Sequence, residues 1–351
     1  MASDMHPLPQ KDIQSFTTHF QHDKELSGST FLITGVTGLI GSILAHCLLS
    51  LNQNICIIAP LRNKSKALTM FDRAELAQIH FIECDLCTYD YSAIEPVDYI
   101  IHCAAPTGSR YFVEHAVETA TFITHSSEAL LRYAHLHPVK SFVFLSSLEV
   151  YGQVLDDSAP VSEERYGYID PLSPRNSYPM AKLAAENLCA LYAHQYGVPA
   201  KIARLTQTTG VGVPFEDNRV INQFARKAAL GEDIILHTRG ESARPYCYTI
   251  DAIEAILTIL LRGKDAEAYN VSNDATYISI RQMAEYLRDN FSPSIHIRIE
   301  ADDTQGYGPE TRLRLTSSKL SQLGWHPRYD LKSIFDHLIP WFQLSTDIKP
   351  D

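Results

Sequence analysis

The chain has 351 residues, 45% hydrophobic and 20% charged, and its 41 acidic against 30 basic residues leave a formal charge of −11. At roughly 150 residues per domain this is length for two domains with a sizeable core and no need of disulfides or structural metal, and the composition excludes a disordered or fibrous chain. The acidic balance argues against nucleic acid as a partner. With no apolar run of membrane-spanning length and no apolar stretch near the N-terminus, neither a membrane partner nor a secretory route is expected, and the compartment reads as cytoplasmic.

Residues 1–28 are polar with a sparse helical spacing of Ile13, Phe16 and Phe20, and read as an N-terminal arm or helix. From Ser29 the texture changes. Short, near-continuous apolar runs follow at Thr30–Thr34, Ile55–Ile58, Ile79–Ile82, Asp98–His102 and Ser141–Leu145, as expected of strands covered on both faces. Helical patterns separate most of them, at Leu39–Leu51 and Glu114–His135. Strand alternating with helix predicts an α/β fold, a doubly wound parallel sheet of the Rossmann type. A third helical pattern runs to about Tyr196, and loop-like glycines, prolines and polar residues begin near residue 206. A helix over Val220–Leu230, a strand at Ile234–His237 and an apolar helix over residues 251–262 come next. The domains read as a dinucleotide-binding unit over 29–205, rejoined by 246–270, and a smaller C-terminal α/β substrate domain over 206–245 and 271–351.

Gly35-Val36-Thr37-Gly38-Leu39-Ile40-Gly41 follows a strand and opens a helix. The first glycine permits the tight turn, the second lets backbone approach a pyrophosphate, and the third lets helix pack on strand. The helix N-terminus then presents free N–H groups to the phosphates. Downstream, Tyr178-Pro179-Met180-Ala181-Lys182 places a phenol and an ammonium at i and i+4 of one helix face. A neighbouring ammonium favours the phenolate of a tyrosine that is otherwise a poor base at neutral pH. Seven scattered cysteines form no disulfide framework, and the lone Cys84/Cys87 pair lacks the second half of a metal site. His135, His137 and His194 have no metal-ligand partners, so no metal is expected.

The GxxGxxG spacing, with Cys84-Asp85-Leu86 and Asp98–Ala105, resembles the extended short-chain dehydrogenase/reductases, the nucleotide-sugar epimerases and dehydratases, over about Ser29 to Trp341. The resemblance implies a nicotinamide dinucleotide held by Gly35, Thr37, Gly38, Leu39, Ile40 and Gly41, with Asp85 and Leu86 at the adenine and Ala104 and Ala105 beyond the fourth strand. Where the family often carries an aspartate for the ribose 2′-hydroxyl this chain has Ala59, with Arg62 just beyond, which leaves NAD or NADP open. It further implies that Ser147, rather than its neighbour Ser146, hydrogen-bonds the substrate hydroxyl and Tyr178, while Lys182 supports both the tyrosine and the nicotinamide ribose.

Glu149 matches a glutamate that assists chemistry beside the new ketone in dehydratases and decarboxylases; the alternative is a salt-bridged strand-end residue. Leu148 stands where dehydratases pair that glutamate with an aspartate, which argues against a 4,6-dehydration. Arg175 also occurs in the uronate-decarboxylase branch. On the substrate side the resemblance nominates Thr107, Gln207 (for the usual Asn), Arg219, Arg244 and Arg312, with Arg314 in ambiguous register; Thr209 replaces a usual Tyr, and a family Asn is replaced near Ile123. Tyr192 and Tyr196 are expected to pack or to border a dimer helix, since the resemblance implies a homodimer. The expected function is an epimerase or dehydratase acting on a nucleotide-diphospho-sugar through a transient 4-keto sugar, with epimerisation favoured. The alternatives are decarboxylation using Glu149, an NADPH-consuming reductase, and a non-catalytic dinucleotide sensor.

Overall fold

The computed structural model describes residues 7–300 and 310–346. Their strands are β1 (Thr30–Thr34), β2 (Cys56–Leu61), β3 (Ile79–Glu83), β4 (Tyr99–His102), β5 (Ser141–Ser147), β6 (Ala200–Leu205), β7 (Gln207–Thr209), β8 (Ile234–Leu236), β9 (Ala243–Tyr248), β10 (Ala268–Val271), β11 (Asn273–Ser279) and β12 (Ile297–Ile299). Seven form one parallel sheet in the order β3-β2-β1-β4-β5-β6-β10. The chain reverses direction of winding at β1, so a crevice opens at the carboxyl ends of β1 and β4, where open α/β sheets bind ligands.

Alternate residues of each strand enter different cores, which explains why the runs are apolar throughout. Phe31, Ile33, Val143 and Leu145 join the helices Leu39–Ser50 and Thr249–Arg262 on one face, and Leu32, Phe142 and Phe144 join Ala116–Leu136 and Ser177–Tyr196 on the other. The N-terminal helix Pro7–His19 adds Phe16 to the first core, and Asp12 on it accepts a hydrogen bond from the buried Tyr248 hydroxyl at 2.5 Å.

Two elements of the large sheet escape the apolar-run criterion. β6 reads Ala-Lys-Ile-Ala-Arg-Leu, and its two cations are buried because Lys201 reaches Asp265 at 2.7 Å and Arg204 reaches Glu186. β10 is only four residues long at the sheet edge. The helix expected over Glu114–His135 is Ala116–Leu136, and a separate short helix, Ser109–Glu114, precedes it; the two meet at His115, whose backbone (φ −132°, ψ 51°) leaves the helical region.

The smaller lobe is built on the three-stranded sheet β11-β9-β7 and the parallel pair β12-β8. β7 follows β6 after one residue, β9 leads directly into the helix Thr249–Arg262, and β11 follows β10 after one residue, so these three crossings are short. Residues 246–248 pair within the small sheet while their side chains are buried in the first core, which the next helix continues from Ile250.

Candidate active site

The glycine turn sits at the crevice because β1 ends there. Gly35 has φ +72°, and a Cβ on it would lie 2.9 Å from the Ala104 nitrogen; a Cβ on Gly41 would lie 2.3 Å from the Gly35 carbonyl oxygen. These are close backbone approaches that only glycine allows. Gly38 is the N-cap of the helix beginning Leu39-Ile40, and no side chain caps that end, so its N–H groups face the crevice as a site for phosphate. The residues present therefore fit the diphosphate of a dinucleotide.

The crevice floor is fixed by a buried histidine that the sequence quoted only as part of a strand. Thr34 Oγ1 and His102 Nδ1 are 2.7 Å apart, Ser126 Oγ and His102 Nε2 3.2 Å, and the Ala104 N–H donates to Thr34 Oγ1 at 3.1 Å. Ser126 spends its own proton on the Phe122 carbonyl at 2.7 Å, so His102 Nε2–H donates to Ser126 and Nδ1 accepts from Thr34. That neutral form fits burial, which with the nearby Lys182 charge pushes His102 down to about 3. The chain after β4 is thereby pinned to β1 beneath Gly35. Ala104 and Ala105 line it half-buried, and Thr107 is exposed beyond them.

Beyond β3, Asp85 Oδ1 accepts from the Cys87 N–H at 2.9 Å and Leu86 is buried. Cys84 and Cys87 carry free thiols, and burial raises both. Ala59 is not at the mouth: it lies inside β2, paired with Phe81 and buried in the first core. β2 continues to Leu61, and Arg62 is the first residue beyond it, exposed, with its guanidinium carbon 5.9 Å from the Phe122 ring centroid.

Tyr178 and Lys182 occupy the first turns of Ser177–Tyr196, packed against the end of β5. Burial pushes the Tyr178 phenol well above its ordinary range, opposed by a hydrogen bond with Ser147 and reinforced by the Glu149 charge. Burial pushes the Lys182 ammonium down to about 7, opposed by Glu186. Its Nζ donates to the Leu145 carbonyl at 2.7 Å and lies 4.5 Å from the Phe144 ring centroid. Tyr178 is thus held as a neutral acid whose deprotonation waits for a positive neighbour. Ser147 also caps the turn Leu148–Tyr151, accepting the Glu149 N–H at 3.2 Å.

The neighbouring Ser146 has a different environment. It donates to Glu186 Oε1 at 2.5 Å, and the same carboxylate receives Arg204 at 3.0 and 2.7 Å. Arg204 continues to the Tyr151 hydroxyl (3.1 Å) and the Glu163 carbonyl (2.9 Å), and Tyr151 donates to Asn270 Oδ1 at 2.5 Å. This buried network backs Ser147 and the helix that carries Tyr178 and Lys182, and of its members the sequence reading named only Ser146, as the neighbour not chosen. Its signal was a polar residue in each otherwise apolar element.

Glu149 meets Arg175, with Arg175 Nη2 3.5 Å from Glu149 Oε2. Arg175 also lies 5.8 Å from the Phe112 ring centroid, and its Nη1 is buried without a hydrogen-bond partner. Arg175 and Phe112 are therefore site residues that were not nominated as such.

The remaining candidates are spread along the smaller lobe. Gln207 opens β7, paired with Tyr246 of β9. Arg219 is held by Asp217 at 2.9 Å and donates to the Thr208 carbonyl at 2.5 Å. The Thr209 hydroxyl donates to Asn222 Oδ1 at 2.5 Å. Arg244 lies on β9, and its side chain has no ion pair among the described residues. Arg312 bridges to Ala243 of the same strand and pairs with Glu241 at 3.0 Å and Glu310 at 3.2 Å.

Comparison with known proteins follows this geometry. Arabidopsis thaliana UDP-glucuronic acid decarboxylase 5 is 27% identical over 311 residues, 87% of either chain. Bos taurus dTDP-D-glucose 4,6-dehydratase is 26% identical over 323 residues, 88% of either chain. The crystal structure of Thermotoga maritima UDP-glucose 4-epimerase with UDP-glucose superposes with a TM-score of 0.78 at 22% identity, covering 90% of this chain and 99% of that one. The Bacillus cereus UDP-glucuronic acid 4-epimerase complex with UDP-glucuronic acid and NAD gives 0.76 at 20% identity, covering 90% and 99%. The profile of the NAD dependent epimerase/dehydratase family matches residues 31–272, the glycine turn and the Ser147/Tyr178/Lys182 set included. This chain is a member of the NAD dependent epimerase/dehydratase family.

Proposed function

We propose that the chain acts on a nucleotide-diphospho-uronic acid, oxidising it transiently beside the carbon that bears the carboxylate and releasing that carboxylate as CO₂. The observation that carries this is Arg175, with an unpartnered, buried Nη1 beside Glu149 at the mouth next to Tyr178. An arginine fork suits a substrate carboxylate. Tyr178, hydrogen-bonded with Ser147, takes the proton of the sugar hydroxyl and gives it back, and Lys182 lends positive charge to the phenolate. A bound dinucleotide supplies reversible hydride acceptance. In the 4-keto uronate the bond to the carboxyl carbon breaks, its electron pair passes to the ring carbon as enolate, and a proton returns there, with Glu149 the nearest acid–base group. Arg244 and Arg312 are the cations for the substrate diphosphate, Gln207 lies beside them, and Arg219, held by Asp217, shapes the nucleotide pocket. Leu148, apolar where an acid would be needed, argues against dehydration.

The test is to incubate the protein with UDP-glucuronic acid and follow products by NMR. A nucleotide pentose with CO₂ release is the expected result, lost in Tyr178→Phe and strongly reduced in Arg175→Ala. A product of unchanged mass and inverted configuration would replace this reading with epimerisation, the second reading. No conversion of any nucleotide sugar by the wild-type protein would overturn both and leave dinucleotide sensing.

We further propose a homodimer. The helices Ala116–Leu136 and Ser177–Tyr196 pack together, and Val117, Met180 and Leu172 stay exposed around an open groove of about 550 Å³; a second copy would cover them. Light scattering of wild type and Val117→Glu tests it. Seven unpaired cysteines favour a reducing compartment, and no helix among the described residues is long and apolar enough to cross a membrane.

A further inference from the structure

We propose that the N-terminal helix Pro7–His19 is a clasp that sets the substrate lobe on the dinucleotide lobe, with Asp12 and Ser15 as positioning residues for the nucleotide sugar. This rests on the assignment of Gln207, Arg219 and Arg244 to the substrate. The helix lies outside the residues matched by the family profile, which begin at 31. Its apolar face is anchored on the larger lobe. Phe16 is fully buried and Ile13 packs beside it in the first core, against the helices Leu39–Ser50 and Thr249–Arg262. Such an apolar stripe is enough by itself to dock an amphipathic helix.

The helix nevertheless also buries the Asp12 carboxylate, which is costly to take out of water unless it is hydrogen-bonded. Asp12 Oδ2 accepts from the Tyr248 hydroxyl at 2.5 Å. Its Oδ1 is buried with no hydrogen-bond partner among the described residues, 3.7 Å from His337 Nε2 on the C-terminal helix Leu331–Thr346. Ser15 Oγ lies 3.0 Å from the Tyr329 hydroxyl, the Tyr329 ring stacks on Tyr248 with centroids 4.4 Å apart, and the Tyr329 carbonyl accepts from the Asn273 amide at 2.8 Å. Tyr248 ends β9 and Asn273 opens β11, so both ties finish on the small sheet where it joins the larger lobe. A buried carboxylate adds little net stability, but its bonds are directional, and here they fix how the small sheet is seated. From Tyr248 the contacts continue to the substrate residues. Tyr248 pairs with Thr209 of β7, whose hydroxyl donates to Asn222; the Asn222 amide donates to Asp217 at 2.9 Å, and Asp217 holds Arg219. Gln207 opens the same β7, and Arg244 lies on the same β9. Coupling between distant groups travels through hydrogen-bonded and packed chains of this kind.

The experiment compares the full-length wild type with Asp12→Ala, Asp12→Ala/Ser15→Ala and Asp12→Asn by hydrogen–deuterium exchange resolved by peptide. In the alanine variants exchange is expected to quicken by about tenfold in β7, β9 and β11 while β1, β4 and β5 keep their protection. Asp12→Asn retains an acceptor for Tyr248 and is expected to stay close to wild type. In steady-state kinetics with UDP-glucuronic acid the alanine variants should raise KM about fivefold with kcat changed less than about twofold, and NADH titrated by calorimetry should bind within about twofold of wild type. Quickened exchange confined to the N-terminal helix, or spread evenly over both sheets, overturns the proposal. So does an unchanged KM in the double variant of an active protein. Quickened exchange of the small sheet in a protein that converts no nucleotide sugar upholds the clasp and overturns the catalytic reading.

Discussion

The ring of Phe112 lies parallel to that of Tyr178, with centroids 4.3 Å apart and planes inclined by 8°. The Ser177 hydroxyl also donates to the Phe112 carbonyl at 3.0 Å, so the short helix Ser109–Glu114 is fastened to the first turn of the catalytic helix. One face of the phenol is thereby covered by an apolar ring, which keeps water from that side of the group proposed to give and take a proton. Phe112→Leu retains apolar volume but loses the stack. A roughly tenfold fall in kcat, with KM changed less than about threefold, is the expected outcome in steady-state kinetics.

Tyr178→Phe removes the proton-transfer group and keeps the ring. Turnover should fall by about 10² to 10⁴, whereas titration with the dinucleotide should give unchanged affinity. Equal activity in the variant would mean that Tyr178 is not the acid–base group.

Lys182 carries a pH signature. Its ammonium ordinarily titrates at 10.5 and burial pushes it down to about 7. Between those values the folded protein binds fewer protons than the unfolded chain, so this group's contribution to stability rises with pH across the window, and the full penalty is present below about 7. Lys182→Met removes the penalty. In thermal melts of dinucleotide-free protein, the variant should melt above wild type at pH 6, and the gap should close toward pH 10. A gap that does not change with pH would show that the lysine is not desolvated as the structure has it.

The Glu186–Arg204 pair is buried, with donor–acceptor distances of 3.0 and 2.7 Å. Removing one partner strands the other charge, so Arg204→Met should destabilise the fold by about 3 to 5 kcal/mol. Combining it with Glu186→Gln should recover a substantial part of that loss in denaturant unfolding. A double variant as unstable as the sum of the singles would argue against direct coupling.

Gly41→Ala would place a methyl carbon 2.3 Å from the Gly35 carbonyl oxygen. Rigid backbone stands on both sides of that contact, so the turn must open. Dinucleotide affinity should drop by more than about tenfold, read by calorimetry, with the helical circular dichroism retained.

Local features of the sequence determined the α/β class, five strands of the large sheet, the glycine turn and the Tyr178/Lys182 helix. Each depends on periodicity or on residues a few positions apart, and a strand buried on both faces or a turn that only glycine can make leaves its mark in consecutive letters. Glu149 was legible as a candidate, but its partner was not, and the buried Glu186–Arg204 pair was not legible at all. Whether Arg175 meets Glu149 or Arg204 meets Glu186 is decided by which elements the fold brings together. The same holds for Phe112 on Tyr178, for Thr34 and Ser126 on His102, and for β2 running two residues past Ala59 so that Arg62 stands at the crevice. Charge pairing and ring stacking act over a few ångströms in space between residues far apart along the chain, so only the tertiary structure could decide them.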